Sequence, residues 1–469
     1  MAVPITLTTR DEIAISSDIS SELLVNCFPS LREESQVAKT MLIGSHGHLL
    51  FGTDTAGSAC RGSRANDDGT AGYIVIDDTF YSVNTSGVKT SRGTLATSSG
   101  RVSIAVGALQ VMITDGASGY SYTPASTTFA TIVDPQFPTN PTICEYVDGY
   151  FITIGTVSGQ IAVALSDLND VSNWSVLNQL VPSGFPSTLV SFVVVNRYLW
   201  LLGSSFAESR VNTGISGEFP YERVNFVEFG CAAAHSVATI NGYAYWLART
   251  RRGKAMLVRA NSSDVEVINN EDMNNTFQSF SAVADAFAYT YTDEGQSFYE
   301  ITFPTANETW VYCVDTDHFY KKEASDGGRF IASCYMFLNN KHIIGARNSG
   351  RMFEMSLSYY DEDGGEPVPR RVITPTLYSD HKYLKVSLVR CIVDSNTYDV
   401  DGNNWLLDVS RDGGDTYAAL FTSTVTPSQD YAQFTKLSAG RRLTFRLVFN
   451  AAKEFRLINC MVYIGTAGR

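Results

Sequence analysis

Seven short hairpins at near-regular spacing constrain this chain more than any other feature. They open at Gly72, Gly107, Asp148, Asn196, Asn241, Ala286 and Asn339, at separations of 35 to 53 residues averaging about 44. The clearest is Asn339–Leu357. A polar turn leads into a run in which His342, Ile344 and Ala346 alternate with Ile343, Gly345 and Arg347. Asn348-Ser349-Gly350 reverses the chain, and Arg351, Phe353, Met355 and Leu357 then alternate with Met352, Glu354 and Ser356. Successive side chains of a strand point to opposite faces, and glycine supplies the positive φ of a tight turn, so period two on both sides of Gly350 marks a β-hairpin. Four-stranded units repeating every roughly 40–45 residues have the period of propeller blades. Closing the units into a ring also hides the unpaired edges that a row of separate meanders, the alternative reading, would expose.

The expected fold is therefore all-β: an irregular β-propeller of six to eight blades, seven by the hairpin count, spanning residues 46–360. Residues 339–357 form the inner part of its last blade. Residues 1–45 show no clear period and are expected as an N-terminal arm. Residues 361–371 (DEDGGEPVPRR) concentrate Gly, Pro and charge and are expected as a linker. Beyond it, alternation at Leu384–Ile392, Trp405–Val409 and Leu443–Phe449 predicts a separate β-sandwich-like domain over 372–469. One helix is predicted within Asn270–Phe280, where Met273, Phe277 and Phe280 recur at helical spacing behind the acidic pair Glu271-Asp272.

At 469 residues the chain exceeds one ordinary core. Its 44% hydrophobic and 18% charged residues fit a folded soluble protein, and its 24 Tyr and 26 Phe suit pleated, half-buried surfaces. No apolar run reaches the roughly 18 residues of a membrane span, and the acidic N-terminal stretch is a poor signal peptide. Eight cysteines without a C-x-x-C pair read as buried thiols in a reducing compartment. A net charge of −13 argues against adhesion to nucleic acid, which Lys and Arg dominate.

No nucleotide, hydrolase or zinc-protease motif is present. His46 and His48 could share a strand face, but they lack nearby carboxylate or thiol partners for a metal; His342 reads as structural. Asp399-Val400-Asp401-Gly402-Asn403 reads as a turn, since the glutamate spacing of a calcium loop is missing. Ser410–Tyr417 matches the Asp-box pattern S-x-D-x-G-x-T-aromatic, a hairpin device in which Asp412 caps backbone N–H groups. The densest basic cluster is the turn Arg249–Lys254, which could meet a protein neighbour or DNA phosphate. No catalytic, cofactor-binding or metal-ligating residue is assigned, no cofactor is expected, and the chain reads as a non-enzyme.

The order of its landmarks resembles the packaged-DNA stabilisation, or tail hub, proteins of P22-like short-tailed bacteriophages. These landmarks are Asn26-Cys27-Phe28-Pro29, Arg61-Gly62, Asp115-Gly116 with Gly119-Tyr120, and Asp148-Gly149-Tyr150-Phe151. Leu199–Gly203, Glu208, Asn212-Thr213-Gly214 and Phe219-Pro220-Tyr221 follow in the family's order, then Glu308–Tyr312, Gly345–Gly350, the Asp box and Gly440-Arg441-Arg442. Ser209 and Ser30 depart from the family's aromatic and acidic residues. The resemblance implies a structural virion protein: a homo-oligomeric, hexameric tail-hub ring below the portal and its adaptor protein, assembled in the host bacterial cytoplasm. Such a ring extends the DNA channel, retains packaged DNA until ejection, and anchors tail needle or spikes; double-stranded DNA passes without specific binding. The Asp box keeps open a carbohydrate-active or glycan-binding, sialidase-like propeller.

Overall fold

The computed structural model describes residues 2–5, 22–31, 40–54, 57–182, 188–215, 218–253, 255–262, 264–269, 271–378, 383–394, 397, 402, 404–426, 429–437 and 439–466. Seven antiparallel blades follow one another at residues 60–94, 103–131, 139–180, 189–227, 230–267, 287–322 and 332–356. The first strands of all seven surround a central cavity of about 690 Å³. In blade 5 that inner strand is split into Gly230–Cys231 and Ala238–Ile240, both paired with Tyr243–Arg249.

Each pair of neighbouring blades encloses its own apolar cluster, which is why most strand residues are buried on both faces. Trp200 meets Trp246 between blades 4 and 5 (centroids 6.3 Å apart), and Tyr245 meets Tyr299 between blades 5 and 6 (5.5 Å). The helix is Glu271–Ser279, and it roofs the latter interface with Met273 and Phe277, while Phe280 packs beside them on Phe303.

The hairpins read from sequence are the second and third strands of their blades in six cases. The exception opens at Ala286, where Phe287–Asp293 and Gln296–Phe303 are the first and second strands of blade 6. Asn339–Leu357 is accordingly not the inner part of blade 7. Its strands Lys341–Ala346 and Met352–Ser356 lie second and third, inside them runs Ala332–Leu338, and outside them Gly47–Leu50 supplies the fourth strand. The ring is closed by a strand that precedes blade 1.

The segment expected as an arm supplies strands elsewhere too. Ala2–Ile5, Cys27–Leu31 and Thr40–Gly44 join Leu384–Val393, Tyr431–Thr435, Ala439–Gly440 and Arg456–Thr466 in a seven-stranded sheet. Leu23–Val25 pairs in parallel with the outer strand of blade 6 through Val25 and Lys321, and antiparallel with Arg370–Ile373. Blade 6 therefore continues without interruption into Arg442–Phe449, Trp405–Ser410 and Ala418–Ser423, one ten-stranded sheet. The two sheets face each other across Trp405, Leu407, Phe445 and Phe449 on one side and Val389, Cys391, Leu457 and Val462 on the other, and this core is contiguous with the apolar cluster between blades 6 and 7. Residues 361–371 run between the two parts, with an Asp361–Pro367 bridge, and end inside the strand that starts at Arg370. All eight cysteines are buried and unbridged. Among the described residues no helix is long and apolar enough to cross a membrane.

Candidate functional site at the propeller closure

The residues that stand out chemically gather where blades 6 and 7, the closing strand and the sandwich meet. Asn26 is the hub. It is fully buried at φ 53°, a left-handed conformation that Asn tolerates better than most residues. Its side-chain amide donates to the carbonyls of Glu323 and Pro369 (2.9 Å each) and accepts from the Glu323 N–H (2.9 Å). Its own N–H donates to the Lys321 carbonyl, and its carbonyl accepts from Ser45 N–H. One residue thus ties together blade 6, the crossing into the sandwich and the approach to the closing strand. Beside it Glu323 binds Arg371 and Lys321, and Lys321 also reaches Glu308, whose other oxygen accepts from the Trp310 indole.

One layer inward lies a buried ion pair, Lys322 Nζ to Glu300 Oε2 at 2.9 Å. Glu300 also accepts from the Tyr289 and Tyr291 hydroxyls, and the ammonium sits 3.8 Å above the Phe330 ring. Burial pulls the Lys322 pKa down and Glu300 holds it up. The two histidines of GSHGH frame this pair. His46 packs edge-on to Tyr291 and Phe298 and bonds Asp293 through Nε2 at 3.1 Å, whereas His48 packs on Phe330 and Phe353. Burial pushes both imidazoles down to about 4, with Asp293 opposing the shift at His46. His342 accepts or donates at Tyr335. Among the described residues no group of three His, Cys, Asp or Glu could hold a metal ion.

The other landmarks are structural ties between neighbouring elements. All five N–H donors of the Arg61 guanidinium are used, on the carbonyls of Asp77, Thr97, Ser99 and Gly100 and on Thr97 Oγ1. Thr97 Oγ1 in turn bonds Asp115, which also accepts from Tyr120 and the backbone of its own turn. Gly62 follows Arg61 because a Cβ there would sit 2.1 Å from the Val102 carbonyl oxygen. Asp148 joins blade 3 to blade 4 by accepting from Asn212 (3.0 Å) and Tyr221 (3.3 Å). Glu208 is buried against Arg210 at 2.7 Å, and Ser209 lies buried beside it.

In the Asp box, Asp412 accepts from Ser410 Oγ and from the N–H and hydroxyl of Thr416, which holds its carboxyl below the usual range. Tyr417 packs under Arg446, itself bonded to Asp408. The box is a hairpin clip at the edge of the sandwich. The tip Arg249–Gly253 is exposed between the second and third strands of blade 5, and its arginines carry no ion pair among the described residues. Lys254 lies outside the described residues, as does most of the Asp399–Asn403 turn.

Sequence reading missed Lys322 and Glu300. A signal was available: Glu300 interrupts the apolar run Phe298–Phe303, and a lone carboxylate in a strand buried on both faces demands an internal partner.

A family model described as Bacteriophage P22 Gp10, beta-propeller matches residues 1–359. No curated protein matches by sequence. Among solved structures, the N-terminal domain of Nup159 aligns at 10% identity and a TM-score of 0.43, covering 72% of this chain and 99% of that one. A mitotic checkpoint complex chain aligns at 12% identity and a TM-score of 0.44, covering 63% and 88%.

Proposed function

The chain belongs to the bacteriophage P22 Gp10 β-propeller family, and on that premise we propose that this phage structural protein is the tail hub. In this reading six copies form a ring below the portal and its adaptor, extend the DNA channel, keep packaged DNA inside, and anchor the tail needle or spikes. The family match over residues 1–359 carries the proposal. The architecture suits the mechanical part of it. A wall subunit must not deform, and here the ring is latched by Gly47–Leu50 while blade 6 is continuous with the sandwich, so bending the two parts apart means breaking backbone hydrogen bonds. The net charge of −13 suits a conduit that does not hold DNA, and the surface facing the ring axis is expected to be acidic. The exposed tip at Arg249–Arg252 is expected to meet another protein subunit.

Electron cryomicroscopy of the virion tests the proposal. A ring of this chain at the tail is the expected result, and its location elsewhere, or a strongly basic channel lining, would overturn the reading. Particles made with R251E/R252E should fail to assemble; normal virions would exclude a partner contact at that tip.

A further inference from the structure

A second cavity, of about 860 Å³, opens at the mouth of the central channel where the inner strands begin. Arg101, Arg329 and Arg347 line it, together with Arg61. Arg101 lies between the two cavities, its guanidinium carbon 3.8 Å from the Phe287 ring centroid and its Nη2 donating to the Ser333 carbonyl at 2.7 Å. Among the described residues neither Arg101 nor Arg329 has a carboxylate within ion-pair distance. Arg347 has only Asp326, a distant 3.9 Å away and largely exposed, and its buried Nε has no partner.

The acids of this cavity do not neutralise the three. Asp77 and Asp78 act on Arg61, whose donors are already spent on four carbonyls and the Thr97 hydroxyl. Asp285 is the one carboxylate that acts on Arg329. Its Oδ2 accepts from the N–H and hydroxyl of Thr305, and its Oδ1 is buried without a partner. Burial and the neighbouring Arg329 hold Arg101 down to about 10, and burial with Arg347 lowers Arg329. In a chain of net charge −13, where cations could readily find acids, the four arginines and three aspartates of this concave, partly desolvated place leave one positive charge in surplus. Stacking on Phe287 accounts for Arg101 alone. It leaves Arg329 and Arg347, which repel each other, without a reason to converge.

We propose that this mouth is an oxyanion site, in which Arg101, Arg329 and Arg347 receive a phosphate or a carboxylate. The planar fork of a guanidinium matches both groups bidentately, and an anion offsets the mutual repulsion of the arginines. The source is either a small phosphate or an acidic protein segment inserted along the axis.

Isothermal titration of the full chain with sodium pyrophosphate, and separately with a tetraglutamate peptide, at ionic strength fixed with sodium chloride, tests this. The expected result is saturable binding of at least one probe, weakened about tenfold or more by R329Q and by R347Q, in keeping with loss of a charge-assisted bond. R329K and R347K, which keep the charge and the packing but not the fork, should bind with intermediate affinity, so a folding defect in the glutamine variants does not decide the outcome. Preference for pyrophosphate identifies a small-anion site, and preference for the peptide an acidic segment. No saturable binding of either probe, or binding undiminished in all four variants, overturns the proposal.

Discussion

Replacing Asn26 tests the architecture at its most connected point. Its side chain makes three hydrogen bonds from full burial, two as donor and one as acceptor. At about 1 kcal/mol net each, their loss costs about 3 kcal/mol. Asn26→Ala adds a second penalty, because alanine at φ 53° lacks the local compensation of asparagine, at about 1 kcal/mol. The alanine variant should therefore lose about 4 kcal/mol, and Asn26→Gly, which is free of the backbone term, about 3 kcal/mol. The order is the informative part: wild type, then glycine, then alanine. Hydrogen exchange read by mass spectrometry over residues 23–31, 41–48 and 319–324 is the appropriate assay, since it reports the opening of this junction without assuming a single unfolding transition. Three kcal/mol corresponds to protection reduced by about 10²-fold in those segments, with blades 2 and 3 unchanged. Alanine matching glycine would refute the strain argument. A loss under about 1 kcal/mol in both variants would refute the claim that Asn26 holds the junction.

Other perturbations probe neighbouring features. Lys322→Met leaves Glu300 buried without its counter-charge and should cost about 3–5 kcal/mol, whereas K322M/E300Q should recover most of that in urea unfolding followed by tryptophan fluorescence. His46 and His48 titrate near 4 when folded and near 6.5 when unfolded, so the unfolded chain binds more protons between these values. Stability should thus be flat above about pH 6.5 and fall towards pH 4, at up to about 1.4 kcal/mol per pH unit for each histidine; thermal melts of H46Q/H48Q should show a shallower slope. Gly345→Ala would place a Cβ 2.6 Å from Cys334 Sγ and 2.6 Å from Cys60 Cβ, an overpacking that should cost about 1–3 kcal/mol and be partly relieved by adding C334A.

The repeating hairpins, and with them a count of six to eight blades, were legible because turn chemistry is local. Asp148, Asn196, Asn241 and Asn339 all adopt positive φ, and each precedes a strand rich in apolar side chains. The same locality explains the slip at Ala286. The turn through Glu294 (φ 47°) and Gly295 (φ 78°) is as tight as the turns between second and third strands, and nothing in it states which pair it joins. The closure was not legible, since Gly47–Leu50 leaves Leu49 and Leu50 exposed and pairs with Phe353–Ser356 about three hundred positions away. Leu23–Val25 and Cys27–Leu31 are too short to show a period; the first pairs with blade 6 and Arg370–Ile373, and the second with Thr40–Gly44. For the functional landmarks, sequence gave their order but not their reason. Arg61, Thr97, Asp115 and Tyr120 form one chain of contacts that only the adjacency of blades 1 and 2 creates.

The latch also has a consequence for synthesis. Leu23–Val25 and Gly47–Leu50 are made before blade 1, yet their partner strands in blades 6 and 7 follow hundreds of residues later. Blades 1 to 5 can form in turn during translation, whereas these two strands must wait for the latest. A chain that stops short of blade 7 therefore keeps an open ring and an exposed sheet edge, the feature of a β protein most prone to wrong pairing.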